Sequence, residues 1–152
     1  MKQKLVVSLE SPQHGFMSLR LSGPTESFVA VVSHEPYDSL PALIQALSAA
    51  LSGEGEVNVR WNSEPEEYDF NFAADDDSLL LTIVRYPDHR RLHETSSIVF
   101  RFRGSKLDVC FPFWKELRDL QTRTVQDEFH RQWRREFPER ELEELSSKML
   151  GS

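Results

Sequence analysis

Short stretches of alternating apolar and polar residues, joined by short links, constrain the fold of this chain more than any other feature. Such stretches are typical of β-strands, and Pro, Gly, Ser and Asp residues punctuate them. The predicted strands are 5–9, 16–21, 28–32, 57–61, 68–72, 79–86, 97–103 and, after a turn at 104–105, 107–111. Because consecutive strands with short links usually pair antiparallel, we predict a meander of four or five strands after residue 53.

Two segments show the period of a helix instead of a strand. Between residues 38 and 53 the side chains of Leu40, Leu43, Ile44, Leu47 and Leu51 recur at helical spacing. From Pro112 onward the pattern is helical again, with a break at Pro138. We therefore predict an α+β fold: an antiparallel meander sheet, one helix inserted after the first strands, and a C-terminal helical segment packed on the sheet.

The size and composition of the chain fit one globular domain spanning 1–152. A single cysteine, Cys110, excludes an intramolecular disulfide, and its apolar neighbours favour a buried and inert thiol. The apolar run near the N-terminus is too short for a signal peptide, and no stretch has the length needed to cross a membrane. We expect a cytoplasmic protein with no membrane partner.

The charge of the chain is concentrated in one segment. Residues 54–77 contain nine acids and one base and carry a net charge of −8, whereas the remainder has 17 bases and 16 acids. A dense acidic surface is a plausible docking face for a basic protein, and an aromatic side chain beside it is typical of an interface hot spot. The predicted protein-binding residues are Trp61, Glu64, Glu66, Glu67, Asp69, Asp75, Asp76 and Asp77. The alternative is a solvated surface that keeps the protein soluble.

No motif for catalysis, metal binding or cofactor binding is complete. His89 and His93 have the spacing of zinc ligands, but Arg90 and Arg91 lie between them and further ligands are missing. The carboxylates of Glu64 and Glu66 or Glu67 lie in a turn crowded with like charge, which does not suit a glycosidase. A triad drawn from Ser33, Ser39, His34 and Glu35 lacks a nucleophile elbow. We therefore predict no metal, no cofactor and no enzymatic activity.

Nucleic acid is not an expected partner either. The basic stretch from Arg85 to His93 could contact a phosphate or an acidic partner. Binding to duplex DNA is driven chiefly by neutralisation of phosphates, however, and the acidic segment opposes it.

The element order offers one resemblance to known proteins. From about Phe28 to Leu120, the meander that ends in Phe111-Pro112-Phe113-Trp114 before an amphipathic tail resembles small bacterial proteins of the immunity type, which neutralise polymorphic toxins. The resemblance implies an acidic single-domain protein that occludes a basic toxin nuclease. It assigns a role to no individual residue.

Two alternatives belong to other functional classes. A hydrolase or ligand-binding protein would have its pocket between the helix at 38–52 and the sheet. The protein could instead be a monomer or a weak homodimer. A homodimer would pair helices through exposed Trp114 or Trp133.

Overall fold

Seven strands form one antiparallel sheet in which the order in space follows the order in the chain. The computed structural model describes residues 4–151. The strands are β1 (Val6–Leu9), β2 (Phe16–Ser22), β3 (Ser27–Ser33), β4 (Glu56–Asn62), β5 (Glu67–Asp75), β6 (Ser78–Tyr86) and β7 (Ser97–Ser105). The helices are α1 (Ser39–Leu51), α2 (Lys106–Arg123), α3 (Gln126–Trp133) and α4 (Glu139–Met149), with a short 3-10 turn at His93–Thr95. The predicted α+β meander, with its inserted helix and C-terminal helices, is confirmed.

The sheet is nearly divided between β3 and β4. These two strands pair only at Ser33 and Asn62, whereas β2 pairs with β3 along all seven residues of each strand. Phe28 of β3 packs edge-on against Tyr68 and Phe70 of β5, with ring centroids 5.0 Å and 5.9 Å apart. The two parts of the sheet therefore turn their apolar faces toward each other, and the core lies between them.

Alternation along the strands decides which side chains reach this core. In β2, Met17, Leu19 and Leu21 are buried, while Arg20 points outward. The face of α1 that packs on the sheet is equally apolar, and its members Leu40, Leu43, Ile44 and Leu47 are fully buried. Side chains of α1 therefore form part of the core that it shares with the sheet.

The start of α2 corrects one prediction. Leu107 to Phe111, predicted as a strand, forms the first turns of this helix, and Pro112 lies inside the helix instead of beginning it. A capping box explains the difference: the Ser105 hydroxyl accepts from the Asp108 N–H, and the Asp108 carboxylate accepts from the Ser105 N–H. These two bonds satisfy N–H groups at the helix start, so the helix begins before the proline.

Side chains of α2 also cover the outer edge of β1. The Leu9 N–H donates to Glu116 Oε2 at 2.7 Å, and the Leu9 carbonyl accepts from Arg123. Both outward backbone groups of Leu9 are therefore bonded within the molecule, which discourages pairing with another chain at this end of the strand.

The C-terminal tryptophans do not support the predicted homodimer contact. Trp133 is buried in the core, so it cannot pair helices across a two-fold axis. Trp114 is partly buried, and its indole N–H donates to the Ser146 hydroxyl at 2.8 Å. Among residues 4–151, no helix combines the length and the apolar character that crossing a membrane requires.

Candidate binding surfaces

The acids of segment 54–77 do not form one surface. Several of them lie at the two ends of β5, whose nine residues span about 25 Å. Glu64, Glu66 and Glu67 lie at the end where β4 turns into β5, and Asp75, Asp76 and Asp77 lie at the end where β5 turns into β6. A partner therefore meets two separate groups of carboxylates.

Trp61 is not part of any surface. It is 0% exposed and packs in the core, with its ring centroid 5.8 Å from that of Phe70. Side chains alternate along β4, so Arg60 points outward and Trp61 points inward. The prediction that Trp61 contacts a partner was therefore wrong, because its proximity to acids in sequence does not place it beside them in space.

Glu67 and Asp69 are buried beneath a basic side chain. They are 3% and 8% exposed, and both bind Arg91 from the loop between β6 and β7. Arg91 Nη1 donates to Glu67 Oε1 at 2.8 Å, and Nη2 donates to Asp69 Oδ2. Burial alone would lower the pKa of Arg91, but the bonds to Asp69 and Glu67 raise it above its ordinary value. Neither carboxylate belongs to an exposed acidic face.

The two remaining acids at this end of the sheet, Glu64 and Glu66, also have polar or charged partners. Glu66 lies 3.6 Å from Arg85, and Glu64 Oε1 accepts from the Asn62 side-chain amide at 3.3 Å. The Tyr37 hydroxyl donates to Glu67 Oε1 at 2.9 Å. The sequence pattern does not indicate Tyr37 or Arg91 at this site, because both come from loops distant from Glu67 in the chain.

The opposite end of the sheet concentrates exposed negative charge. Two turns adjoin there, because the Ala74 N–H donates to the Gly55 carbonyl at 2.7 Å. The five carboxylates on these turns and the adjoining ends of β4 and β5, which we call the carboxylate end, are Glu54, Glu56, Asp75, Asp76 and Asp77. All five residues are exposed, and none forms an ion pair with another residue in the range 4–151. Three basic side chains lie near this end without pairing to these acids: Arg103 Nη1 donates to the Ser78 hydroxyl at 3.2 Å, Lys148 Nζ donates to the Ser52 hydroxyl at 2.7 Å, and Lys106 Nζ lies beside Gly53.

Comparison with known proteins adds no identification to these surfaces. The chain matches no protein-family model, no curated protein and no solved structure. The resemblance to immunity proteins therefore stays a prediction, and function has to be argued from the geometry.

The residues considered for a triad have other partners. His34 Nδ1 lies 3.1 Å from the Gly15 carbonyl oxygen, and Nε2 lies 3.2 Å from Glu35 Oε1. Ser33 accepts from the Glu35 N–H, and the buried Ser39 hydroxyl donates to the Arg60 carbonyl. In the described chain no hydrogen bond joins a serine to His34, so this cluster lacks the contact that activates a nucleophile.

Neither the cysteine nor the paired histidines offer a reactive centre. Burial raises the pKa of the Cys110 thiol from 9.0 to about 12, so the thiol stays protonated at neutral pH. His89 and His93 are exposed in the loop between β6 and β7. Within residues 4–151, no group of three or more His, Cys, Asp or Glu side chains is placed to hold a metal ion.

Proposed function

We propose that this protein is a non-enzymatic binding protein whose carboxylate end engages a basic surface of another protein. The observation that carries the proposal is the meeting of five exposed carboxylates on two adjoining turns, without ion pairs among the described residues. Like charges held together repel and cost stability. A basic partner would remove that repulsion and gain steering toward the site.

The narrower form of the proposal is a cytoplasmic immunity protein that occludes a basic toxin domain. Occlusion requires a complementary surface and no chemistry of its own, which agrees with the buried Cys110 thiol and with a His34 ring that makes no recorded hydrogen bond to a serine in the described chain. The resemblance in element order supports the same partner class. The partner would have to present its own basic residues at the site to be occluded.

The association rate measured against salt concentration tests the charge-driven part of the proposal. A partner retained by the native protein would be identified, purified and titrated against it between about 0.01 M and 1 M salt, where the screening length falls from about 30 Å to 3 Å. We expect the association rate constant to fall at least about tenfold over this range. A rate that does not change with salt would exclude steering by the carboxylate end.

A matched pair of variants tests the location of the surface. The first variant changes Glu54 and Glu56 to Gln and Asp75, Asp76 and Asp77 to Asn. The control removes the same charge from scattered exposed positions by changing Glu10, Glu26, Glu143 and Glu144 to Gln and Asp127 to Asn. Loss of binding only in the first variant would support the proposal. Equal losses of affinity in the two variants would show that net charge matters and that the position of the carboxylate end does not. If neither variant changes the affinity, the carboxylate end contributes to solubility and not to binding.

A further inference from the structure

We infer that Glu67, Asp69 and Tyr86 form a receptor for an arginine of the partner, and that Arg91 of the same chain fills this receptor in the free protein. The inference rests on the proposed function only in that the partner is basic. It concerns the end of β5 opposite the carboxylate end and names the side chain that this second site accepts.

The receptor has the chemistry that distinguishes a guanidinium from an ammonium. Two carboxylate oxygens, from Glu67 and Asp69, receive separate N–H groups of one planar fork. The Tyr86 ring stacks on the same group, with its centroid 4.3 Å from Arg91 Cζ. The Tyr37 hydroxyl donates to Oε1 of Glu67, the same oxygen that accepts from Arg91. A lysine can neither bridge two carboxylates as a planar fork nor stack in this way.

Asp69 shows that Arg91 does not complete the receptor. This residue is 8% exposed, and its second oxygen, Oδ1, is buried with no hydrogen-bond donor among the described residues. A buried carboxylate oxygen without a donor is unfavourable, and such atoms are rare in folded proteins. An arginine that enters from another chain approaches along a different path and can present a further N–H to Oδ1. The unpaired atom therefore points to a ligand that carries hydrogen-bond donors.

Among the recorded hydrogen bonds and ion pairs, only those of the Arg91 side chain join its loop to the rest of the described chain. In residues 87–96, the other recorded hydrogen bonds and ion pairs are internal to the loop, such as those between Asp88 and Arg90. Arg91 has φ of 53°, in the left-handed region that residues with a side chain seldom adopt. Release of Arg91 thus breaks two hydrogen bonds and one stacking contact, and no other recorded polar contact with the rest of the described chain.

Competition between the two arginines follows from this arrangement. While Arg91 occupies the receptor, a partner's arginine binds only to the fraction of molecules in which the loop has opened. Removal of the Arg91 side chain should therefore strengthen binding of an external arginine, since every molecule then has an open receptor.

Two short capped Gly-Ser peptides, identical except for a single Arg or Lys, test the receptor directly. They would be titrated against the native protein, Arg91→Ala, and the matched control Arg90→Ala, whose arginine pairs only with Asp88. If Arg91 closes the receptor about 90 to 99% of the time, Arg91→Ala should bind the arginine peptide about tenfold to a hundredfold tighter than the native protein does. Arg90→Ala should match the native protein, and the lysine peptide should bind more weakly throughout.

Equal binding by Arg91→Ala and the native protein, or equal binding of the two peptides, would overturn the inference. So would tight binding that survives Glu67→Gln in the Arg91→Ala background, because the receptor would then not be the site. Arg91→Ala should also keep the native melting temperature to within a few degrees, since the open loop lets water reach both carboxylates. A variant that fails to fold would show that Arg91 is a fixed structural element.

Hydrogen exchange on the native protein gives a test that needs no variant. Excess arginine peptide should speed exchange of the Arg91, Thr95 and Ser96 amides, whose hydrogen bonds lie within the loop, and the lysine peptide should not. Equal acceleration by the two peptides would contradict a release that is specific to arginine. The peptide tests do not involve the carboxylate end, so a negative result there would not contradict the proposed function. If the charge-neutralised variants keep their affinity for the partner, the inferred arginine receptor is likewise not contradicted.

Discussion

At the scale of single residues, carboxylates that are neighbours in the sequence differ in chemistry because their surroundings differ. Glu67 and Asp69 are buried and bind Arg91, whereas Asp76 is exposed in a turn with no ion pair to a described residue. The exposed turn is open to solvent, whereas the Arg91 side chain covers the buried pair.

The buried thiol gives a prediction about pH. The raised pKa of Cys110 means that the folded state keeps its proton between pH 9.0 and about 12, while the unfolded chain loses it. The contribution of the thiol to stability is therefore complete below pH 9.0 and is lost as the pH rises toward about 12. Cys110→Ala should flatten this alkaline loss, which urea denaturation at a series of pH values would measure. An identical pH profile in the variant would contradict the prediction.

The Ser39 hydroxyl gives a prediction about stability. It is buried and donates to the carbonyl of Arg60, which joins the start of α1 to β4. Ser39→Ala leaves that carbonyl without this donor, and we expect a loss of about 1 to 3 kcal/mol in the free energy of unfolding. The exposed Ser27 at the start of β3 supplies the control, Ser27→Ala. Equal urea midpoints for the two variants would show that the Ser39 bond does not stabilise the fold.

At the scale of secondary-structure elements, the capping box determines where α2 begins. Ser105→Ala removes the side-chain acceptor for the Asp108 N–H, and a lost N-cap typically costs about 1 kcal/mol. Ser97→Ala, at the exposed start of β7, is the matched control. Denaturant midpoints would be compared, and a Ser105→Ala variant as stable as the control would show that the helix start is held by packing instead.

The element pattern was predictable to different degrees along the chain. Alternation in β4 already places Trp61 with Val57 and Val59 on the apolar face, and the structure confirms that face. At 107–111, apolar residues with few polar ones fit a strand as well as a buried helix, and only the Ser105 and Asp108 pair distinguishes them. The α4 stripe, with Leu142 and Leu145, was predictable because one apolar face repeats at helical spacing.

At the scale of the whole molecule, the carboxylate end should cost stability. Changing its five acids to amides alters the formal net charge from −7 to −2 and removes their mutual repulsion. We expect the melting temperature to rise at low salt and to approach that of the native protein at about 1 M salt, where screening is nearly complete. The scattered five-acid control should change less. A lower melting temperature at low salt would mean that these carboxylates make stabilising contacts.

Only part of the proposed binding surface could have been predicted at this scale. Charge counting located the acids in one segment, but it could not show that β5 carries them to opposite ends of a strand about 25 Å long. It also could not bring Glu54 next to Asp75, because the hydrogen bond between Ala74 and Gly55 joins turns that are distant in sequence. The ion pairs of Arg91 could not be predicted for the same reason, since its partners Glu67 and Asp69 lie 24 and 22 residues away in the chain.

The bonds from α2 to Leu9 can form only late during synthesis of the chain. Glu116 and Arg123 follow Leu9 by 107 and 114 residues, so a ribosome adds them after all seven strands. The pairing of β1 with β2 can form early, because a meander joins neighbours in the chain. The outward N–H and carbonyl of Leu9 nevertheless lack these partners on the nascent chain until α2 has left the exit tunnel, so this end of the first strand is covered last.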